Sequence, residues 1–255
     1  MASNPPRQEP ASHAEMSSDL HTHLCYWQAP KQVETLEQLF LHQSQPNATI
    51  TRCVCIGVGA FQRGRVWPAR FSSNPANYNE SIVKSPMNQL AFLAVLLKLL
   101  GKRHAIQEVY VQDPLYNDME TSFLQTHLGY TVLDTPRAFD KVTPSTFLFA
   151  PRVHGVDVAE ALERALPALY VGNDVDGHMA MLREEGPGVR WGVEAGTESG
   201  VPMLDTFEQF RERVDGRPMG GFEEWREWCG VTFIYWQRLQ GEEVVLEETG
   251  LGLEV

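Results

Sequence analysis

Short apolar runs alternate with helical segments through the middle of the chain, and this alternation restricts the fold more than any other feature. The runs are rich in β-branched and aromatic residues, which is typical of buried strands. The predicted strands are residues 52–58, 108–112, 131–133, 146–150 and 169–171. The helices predicted between them are residues 88–100, 120–127 and 156–166. Such a rhythm predicts an α/β fold in which helices cover both faces of a mostly parallel sheet.

The periodic signal divides the chain into three parts. Residues 1–17 are rich in Pro, Ser, Ala and Gln, and we expect a disordered N-terminal tail there. Residues 18–183 carry the alternating strands and helices. In residues 184–255 the signal weakens, although 231–237 is a strong strand candidate that could form a hairpin with 243–246. We therefore expect a C-terminal extension that completes or covers the sheet.

A polar insertion separates the first predicted strand from the first long helix. Residues 62–80 contain turn residues without a clear period, and a loop this long is usually functional or flexible. The helix is expected to begin with Ser85 as N-cap and Pro86 at its first position. Its body is apolar nearly all round, which predicts burial against the sheet, and Gly101 ends it.

The charge of the chain limits the partners that it can bind. The net charge is −12 and the isoelectric point is about 5.1, so the electrostatic attraction that nucleic acids and anionic membranes require is missing. The longest apolar stretch, residues 90–100, is too short to cross a bilayer, and the N-terminus lacks the apolar core of a signal peptide. We expect an intracellular protein, cytoplasmic or nuclear, that binds neither nucleic acid nor membrane.

Neither the cysteines nor the histidines form a recognisable metal site. Cys53 and Cys55 lie on one predicted strand and are interpreted as buried thiols, since no second cysteine pair has zinc-ligand spacing. His21 and His23, with Asp19 nearby, would need further ligands that no recognisable spacing supplies. No metal is therefore predicted.

Glycines follow the first predicted strand, at the edge where open parallel sheets bind their ligands. Gly57 and Gly59 would let the backbone approach a ligand closely, although a simple tight turn explains them equally well. Asp113 ends the second strand, where nucleotide-binding sheets place an acid on the ribose hydroxyls. An aspartate before Pro114 is also an ordinary turn residue. Gly57, Gly59 and Asp113 are the predicted cofactor-binding residues.

Further polar residues follow the fourth and fifth predicted strands. Arg152 could bind an anion, and His154 is of a type that titrates near neutral pH. Asn173 and Asp174 end the fifth strand. Each of the four is also explained by a surface or turn position, but their convergence on one edge predicts a polar ligand there. Glu120, by contrast, is interpreted as a solvated acid in the first turn of a helix.

Four stretches of the chain resemble the SRR1-like family, which is named for reduced sensitivity to red light. They are CVCIGVGAF (53–61), SPMNQLAFLAVLLKLL (85–100), VYVQDPLYNDMETSFLQTHLGYTVLDT (109–135) and TFLFAPRVHGVDVAEALERALPALYVGND (146–174). Together they cover about half of the chain, residues 52–175.

The resemblance implies a Rossmann-like domain and a link to light input, circadian regulation, gene expression and stress responses in plants and fungi. It implies no particular reaction. The chain departs from the family at two places. After the fourth strand the family usually reads Pro-His-Cys, where this chain has Pro151-Arg152-Val153 with His154 displaced. After the fifth strand the family tends to have Gly-Asn-Ser, where this chain has Gly172-Asn173-Asp174.

Two functions from different classes follow. The first is a regulatory protein of the SRR1-like type that acts through a bound small molecule or a protein partner. The second is a methyltransferase-like or other nucleotide-cofactor-dependent enzyme, recruited into fungal specialised metabolism. In that enzyme S-adenosylmethionine or a nucleotide would lie against Gly57 and Gly59, Asp113 would hold its ribose, and Arg152 or His154 would meet the substrate. No catalytic residue, cofactor or partner is assigned by the sequence.

Overall fold

The strands and helices of the chain alternate as the sequence predicts. The computed structural model describes residues 12–40, 49–61, 80–151, 153–185, 203–218 and 232–237. The helices in these ranges are α1 (His13–Trp27), α2 (Pro30–Phe40), α3 (Glu80–Leu100), α4 (Asp118–Leu128), a 3-10 turn (Phe139–Lys141), α5 (Gly155–Arg164), α6 (Val175–Glu185) and α7 (Met203–Arg211). The strands are β1 (Arg52–Ile56), β2 (Glu108–Gln112), β3 (Thr131–Val132), β4 (Thr146–Ala150), β5 (Leu169–Asn173), β6 (Val214–Pro218) and β7 (Thr232–Gln237).

The described strands form one sheet in the order β3-β2-β1-β4-β5-β7-β6. Strands β1 to β5 pair in parallel, whereas β7 is antiparallel to both β5 and β6. From β1 the chain first builds the sheet outward through β2 and β3, and then returns to place β4 on the other side of β1. The order therefore changes direction between β1 and β4, and such a switch point is where open α/β sheets bind ligands.

Alternate residues of the strands enter two separate cores. Cys53 and Cys55 point into the core formed with α1, α2, α3 and α4. Val54 and Ile56 point into the core formed with α5, α6 and α7. This alternation follows from the two-residue period of a strand. The prediction of a mostly parallel sheet with helices on both faces is confirmed.

Helix α1 occupies part of the segment predicted to be a disordered tail. The Ser12 hydroxyl accepts a hydrogen bond from the Glu15 N–H, and the Glu15 carboxylate accepts one from the Ser12 N–H at 2.8 Å. This capping box starts the helix at its first turn, and Trp27 at the other end is buried. The prediction of a disordered tail over residues 1–17 is therefore wrong from His13 onward, and the residues before Ser12 lie outside the described part.

Helix α3 begins at Glu80, five residues before the predicted cap at Ser85, and Pro86 lies inside it. Proline at the first helical position is a preference and not a requirement. Within a helix, proline forfeits one backbone hydrogen bond, and the apolar body of α3, buried against the sheet, offsets that cost. In the described residues, none of the helices combines the length and the apolar composition that a bilayer span requires.

Strands β6 and β7, from the C-terminal third of the chain, extend the same sheet beyond β5. Strand β7 lies between β5 and β6. The sequence did not predict β6, because Gly216 and Pro218 are unfavourable in strands. Residues 243–246, the partner proposed for β7, lie outside the described residues, as do residues 62–79 of the polar insertion.

The burial of the cysteines predicts their reactivity. Cys53 and Cys55 are fully buried, and burial raises the pKa of both thiols well above the ordinary value. Because the thiolate is the reactive form, we expect iodoacetamide to modify exposed Cys25 in the native protein and to spare Cys53 and Cys55 until urea is added. Peptide mass spectrometry with and without urea checks this. Native labelling of Cys53 as fast as that of Cys25 would contradict the burial.

Candidate functional site

The chain leaves β1 through a turn whose glycines are required by the backbone. We call residues 57–61 the β1 loop. Gly57 and Gly59 have φ angles of +70° and +91°, in the left-handed region that favours glycine. A Cβ atom at Gly57 would lie only 2.6 Å from Cγ2 of Val153. The missing side chain thus lets the segment after β4 pack directly on the loop, across the switch point between β1 and β4.

The carboxylate of Asp113, directly after β2, holds the β1 loop. Its Oδ2 accepts a hydrogen bond from the Gly59 N–H at 2.7 Å, and its Oδ1 accepts one from the Leu115 N–H at 2.9 Å. The second bond forms the turn that an Asp-Pro pair favours, whereas the first joins two neighbouring strands. The structure thus brings Gly57, Gly59 and Asp113 together at the end of β1 and β2.

A second acid, Glu120, holds the far end of the same loop. Its Oε1 accepts a hydrogen bond from the Phe61 N–H at 2.5 Å, and its Oε2 accepts one from the Asn117 N–H at 3.0 Å. Asn117 Oδ1 in turn accepts from the Glu120 N–H, which completes a capping box at the start of α4. The side chain is 0% exposed, so the interpretation of Glu120 as a solvated acid is wrong. The bond from Phe61 explains the burial.

Gln112, the last residue of β2, extends this network toward the segment after β3. Its backbone carbonyl accepts a hydrogen bond from the Gly57 N–H at 2.9 Å. Its side-chain Oε1 accepts one from the Ala138 N–H at 2.8 Å. The residue is buried, so both bonds are protected from water. The β1 loop is therefore fixed to β2 and α4 by three of its own amide groups.

Polar residues after β4 and β5 meet on the other side of the switch point. The Asn173 side-chain amide donates a hydrogen bond to the Val153 carbonyl. Since Val153 also packs on Gly57, contacts run without a break from the β1 loop to the end of β5. His154 is the exposed N-cap residue of α5 and makes no side-chain cap bond. Arg152 lies outside the described residues.

Helix α6 brings a histidine to this edge that the sequence analysis did not single out. His178 Nδ1 lies 2.8 Å from the backbone oxygen of Asp174. Because a carbonyl can only accept, Nδ1 is the donor in this contact, which leaves Nε2 as the other nitrogen of the ring. The ring edge faces the start of α5, where a Cβ on Gly155 would lie 3.1 Å from Cδ2. The contact with Asp174 is local, four residues back along the chain, whereas the contact with Gly155 joins α6 to α5.

Burial raises the pKa of other side chains near this edge. It raises the pKa of Asp157, in the first turn of α5, and His154 opposes the shift. It raises the pKa of Tyr116 well above the ordinary value, so this phenol stays neutral. Within the described ranges, no group of three or more His, Cys, Asp or Glu side chains could hold a metal ion. The described groups at this edge include the Asp113 carboxylate, the Asp174 carbonyl and the His178 imidazole.

A comparison with known families gives the membership of the chain. The SRR1 domain model matches residues 32–213, which is more than half of the sequence. The chain belongs to the SRR1 domain family. The matched range contains the β1 loop, Asp113, Glu120 and His178, so the whole candidate site lies within the SRR1 domain. The domain match ends directly before β6 begins at Val214.

Other comparisons add little to the description of this SRR1 domain. No curated protein shows a significant match to the chain. Among solved structures, the crystal structure of Thermoplasma acidophilum 1320 is similar over 89% of this chain and 99% of that chain, with 10% sequence identity and a TM-score of 0.36. A likeness at this level carries no argument about the SRR1 domain.

Proposed function

We propose that this SRR1 domain protein is a regulator that binds a small molecule at the carboxyl ends of β1, β2, β4 and β5. The observation that carries the proposal is the contact between Asp113 and the Gly59 amide at the switch-point end of the sheet. Rossmann-like sheets place a ribose-binding acid at the end of β2. Family membership supports a role in gene regulation linked to light, clock and stress, in the cytoplasm or nucleus.

The chemistry of the edge supports a polar ligand. The Gly59 and Leu115 amides hold the Asp113 carboxylate in place, and a carboxylate is a group that accepts hydrogen bonds from ligand hydroxyls. Asn173 holds the Val153 carbonyl in place on the opposite side of the switch point. Because these groups are fixed by the protein before any ligand arrives, ordering them adds little to the cost of binding.

A thermal-shift screen tests the proposal. The panel contains S-adenosylmethionine, S-adenosylhomocysteine, NAD, NADP and common nucleotides. A ligand at 100 times its Kd stabilises the native state by about 2.7 kcal/mol, which raises Tm by roughly 5–10 °C in a chain of this size. We expect such a shift for one ligand class, its loss in Asp113→Ala and its partial retention in Asp113→Asn.

Asp118→Ala is the matched control, because Asp118 is an exposed acid close to Asp113 in sequence. It should show the same ligand shift as the unchanged protein. Each variant is compared with its own ligand-free Tm, so a general loss of stability does not imitate a loss of binding. A flat response to the whole panel, or an equal shift in Asp113→Ala, would refute ligand binding at this edge.

His178 favours a second candidate function, a methyltransferase-like or other nucleotide-cofactor-dependent enzyme of fungal specialised metabolism. Because Nδ1 donates to the Asp174 carbonyl, Nε2 is the ring nitrogen left to exchange a proton with a substrate, which is the role of a general base. A regulator binds its ligand without turnover. Release of S-adenosylhomocysteine from S-adenosylmethionine in the presence of small-molecule acceptors, lost in His178→Gln, would favour the enzyme.

A further inference from the structure

Helix α1 lies before the residues that the SRR1 domain model matches, and it carries two metal-binding side chains on its exposed face. Nε2 of His21 lies 3.6 Å from Sγ of Cys25, and both residues are exposed. Because they are four residues apart, one turn of the helix places them side by side. The candidate site at the strand ends does not include this pair.

The separation of the two atoms is that of neighbouring ligands on a zinc ion. Zinc binds thiolate sulfur at about 2.3 Å and imidazole nitrogen at about 2.0–2.1 Å, in tetrahedral geometry. These bond lengths place a sulfur ligand and a nitrogen ligand about 3.5 Å apart. Sγ of Cys25 and Nε2 of His21 are already 3.6 Å apart, so both side chains need little rearrangement to bind the ion.

Within the described residues, each chain supplies only these two ligands. No third His, Cys, Asp or Glu side chain of that part of the chain completes a metal-binding group, whereas a structural zinc site has four protein ligands. A second copy of the chain would supply the same pair, because a two-fold interface joins the same surface of both subunits. The site is therefore complete only when two copies meet.

The surface of α1 around the pair allows a second copy to approach. Ser18 and Thr22 lie on the same face of the helix, and both are exposed, short and uncharged. The helix contains neither Lys nor Arg, so no positive charge of α1 opposes a divalent cation. Each chain has a net charge of −12, which opposes the association of two copies. A bound cation reduces this repulsion, so association through α1 would depend on the metal.

We propose that His21 and Cys25 of two copies bind one zinc ion in a tetrahedral site and thereby join the copies through α1. The Cys25 thiol loses its proton to solvent on binding, and the neutral His21 ring binds through Nε2. Two thiolates and two imidazoles suit zinc, which prefers sulfur and nitrogen ligands. The proposal is independent of the function proposed above, because the pair lies outside the SRR1 domain match.

Titration of the purified chain with cobalt(II) and zinc tests this proposal. A thiolate bound to cobalt gives a charge-transfer absorption band, and the band disappears when zinc, with its filled d shell, replaces cobalt. We expect the band to saturate at one metal ion per two chains. Zinc should double the mass measured by analytical ultracentrifugation and protect Cys25 from iodoacetamide, and EDTA should reverse both effects.

Cys25→Ser and His21→Ala each remove one ligand from each copy. Both should weaken metal binding at least about tenfold, because changes even to groups behind the ligands typically cost about 10–100-fold. Cys25→Ser should also abolish the cobalt band, although Cys53 and Cys55 remain, since those two thiols are buried. His23→Ala is the matched control, because a residue two positions from Cys25 lies on another face of the helix. It should bind metal as the unchanged chain does.

Several results would overturn the proposal. The absence of a cobalt band, or a band that persists in Cys25→Ser, would show that the Cys25 thiolate is not a ligand. One metal ion per chain without a change in mass would show that the site is not shared between copies. Zinc-dependent doubling of the mass in both Cys25→Ser and His21→Ala would place the metal elsewhere on the chain.

Discussion

Alanine in place of Glu120 is expected to lower the free energy of unfolding by about 3 kcal/mol or more. The carboxylate is fully buried and accepts the Phe61 and Asn117 amides. Its removal leaves both N–H donors without an acceptor, and each buried donor left unpaired costs roughly 1–3 kcal/mol. Because water can enter a cavity that polar groups line, we expect a value nearer the lower end of their sum. Urea denaturation followed by circular dichroism measures the loss.

Two further variants separate the contribution of the carboxylate from that of the side-chain volume. Glu120→Gln keeps the shape and one acceptor oxygen but turns an NH2 group toward one of the two amides. It should therefore lower the free energy of unfolding by less than Glu120→Ala does. Glu163→Ala, at an exposed position of α5, should change stability by no more than about 0.5 kcal/mol. A loss in Glu120→Ala as small as that of Glu163→Ala would show that the acid does not hold the β1 loop.

Strands β1, β4 and β5 were predictable because nearly all of their residues are buried, so that each reads as a continuous apolar run. For β2 and β4 the predicted bounds, 108–112 and 146–150, are the observed ones. Strand β6 was missed for the converse reason, since its sequence VDGRP lacks that signal. It is a strand because β7 lies beside it, and pairing between segments distant in sequence leaves no local trace.

The sequence was enough to predict where in the sheet the candidate site lies, but not which of its residues contact one another. Parallel strands end at one edge, so the positions of Gly57, Gly59 and Asp113 alone were enough to predict that they meet. The sequence could not show that Asp113 binds the Gly59 amide. The Asn-x-x-Glu capping box that contains Glu120 was visible in the sequence, but Phe61, its other partner, is 59 residues away. Only the assembled sheet shows that the two acids hold one loop.

Gly57→Ala is the second substitution with a large expected effect, again about 3 kcal/mol of lost stability. A left-handed φ of +70° costs a residue with a side chain roughly 1–2 kcal/mol. The new Cβ would lie 2.6 Å from Cγ2 of Val153, and overpacking of this kind typically costs another 1–3 kcal/mol. The two terms arise from different causes, so they can be measured separately by denaturation of matched variants.

Gly129→Ala measures the backbone term alone, because Gly129 has a φ of +68° and a Cβ there meets nothing within 4 Å. Val153→Ala removes the methyl group that Gly57→Ala would strike. In the Val153→Ala background, Gly57→Ala should therefore cost no more than Gly129→Ala does in the unchanged protein. Gly57→Ala should thus cost about 1–2 kcal/mol less stability in the Val153→Ala background than in the unchanged protein. This difference is the coupling energy between the two residues, and residues in contact commonly have coupling energies of this size.

If the stability losses of the two substitutions simply add, the segment after β4 shifts away from the loop instead of clashing with it. A measured coupling would establish that the two sides of the switch point pack as one unit, which a ligand lying across both would require.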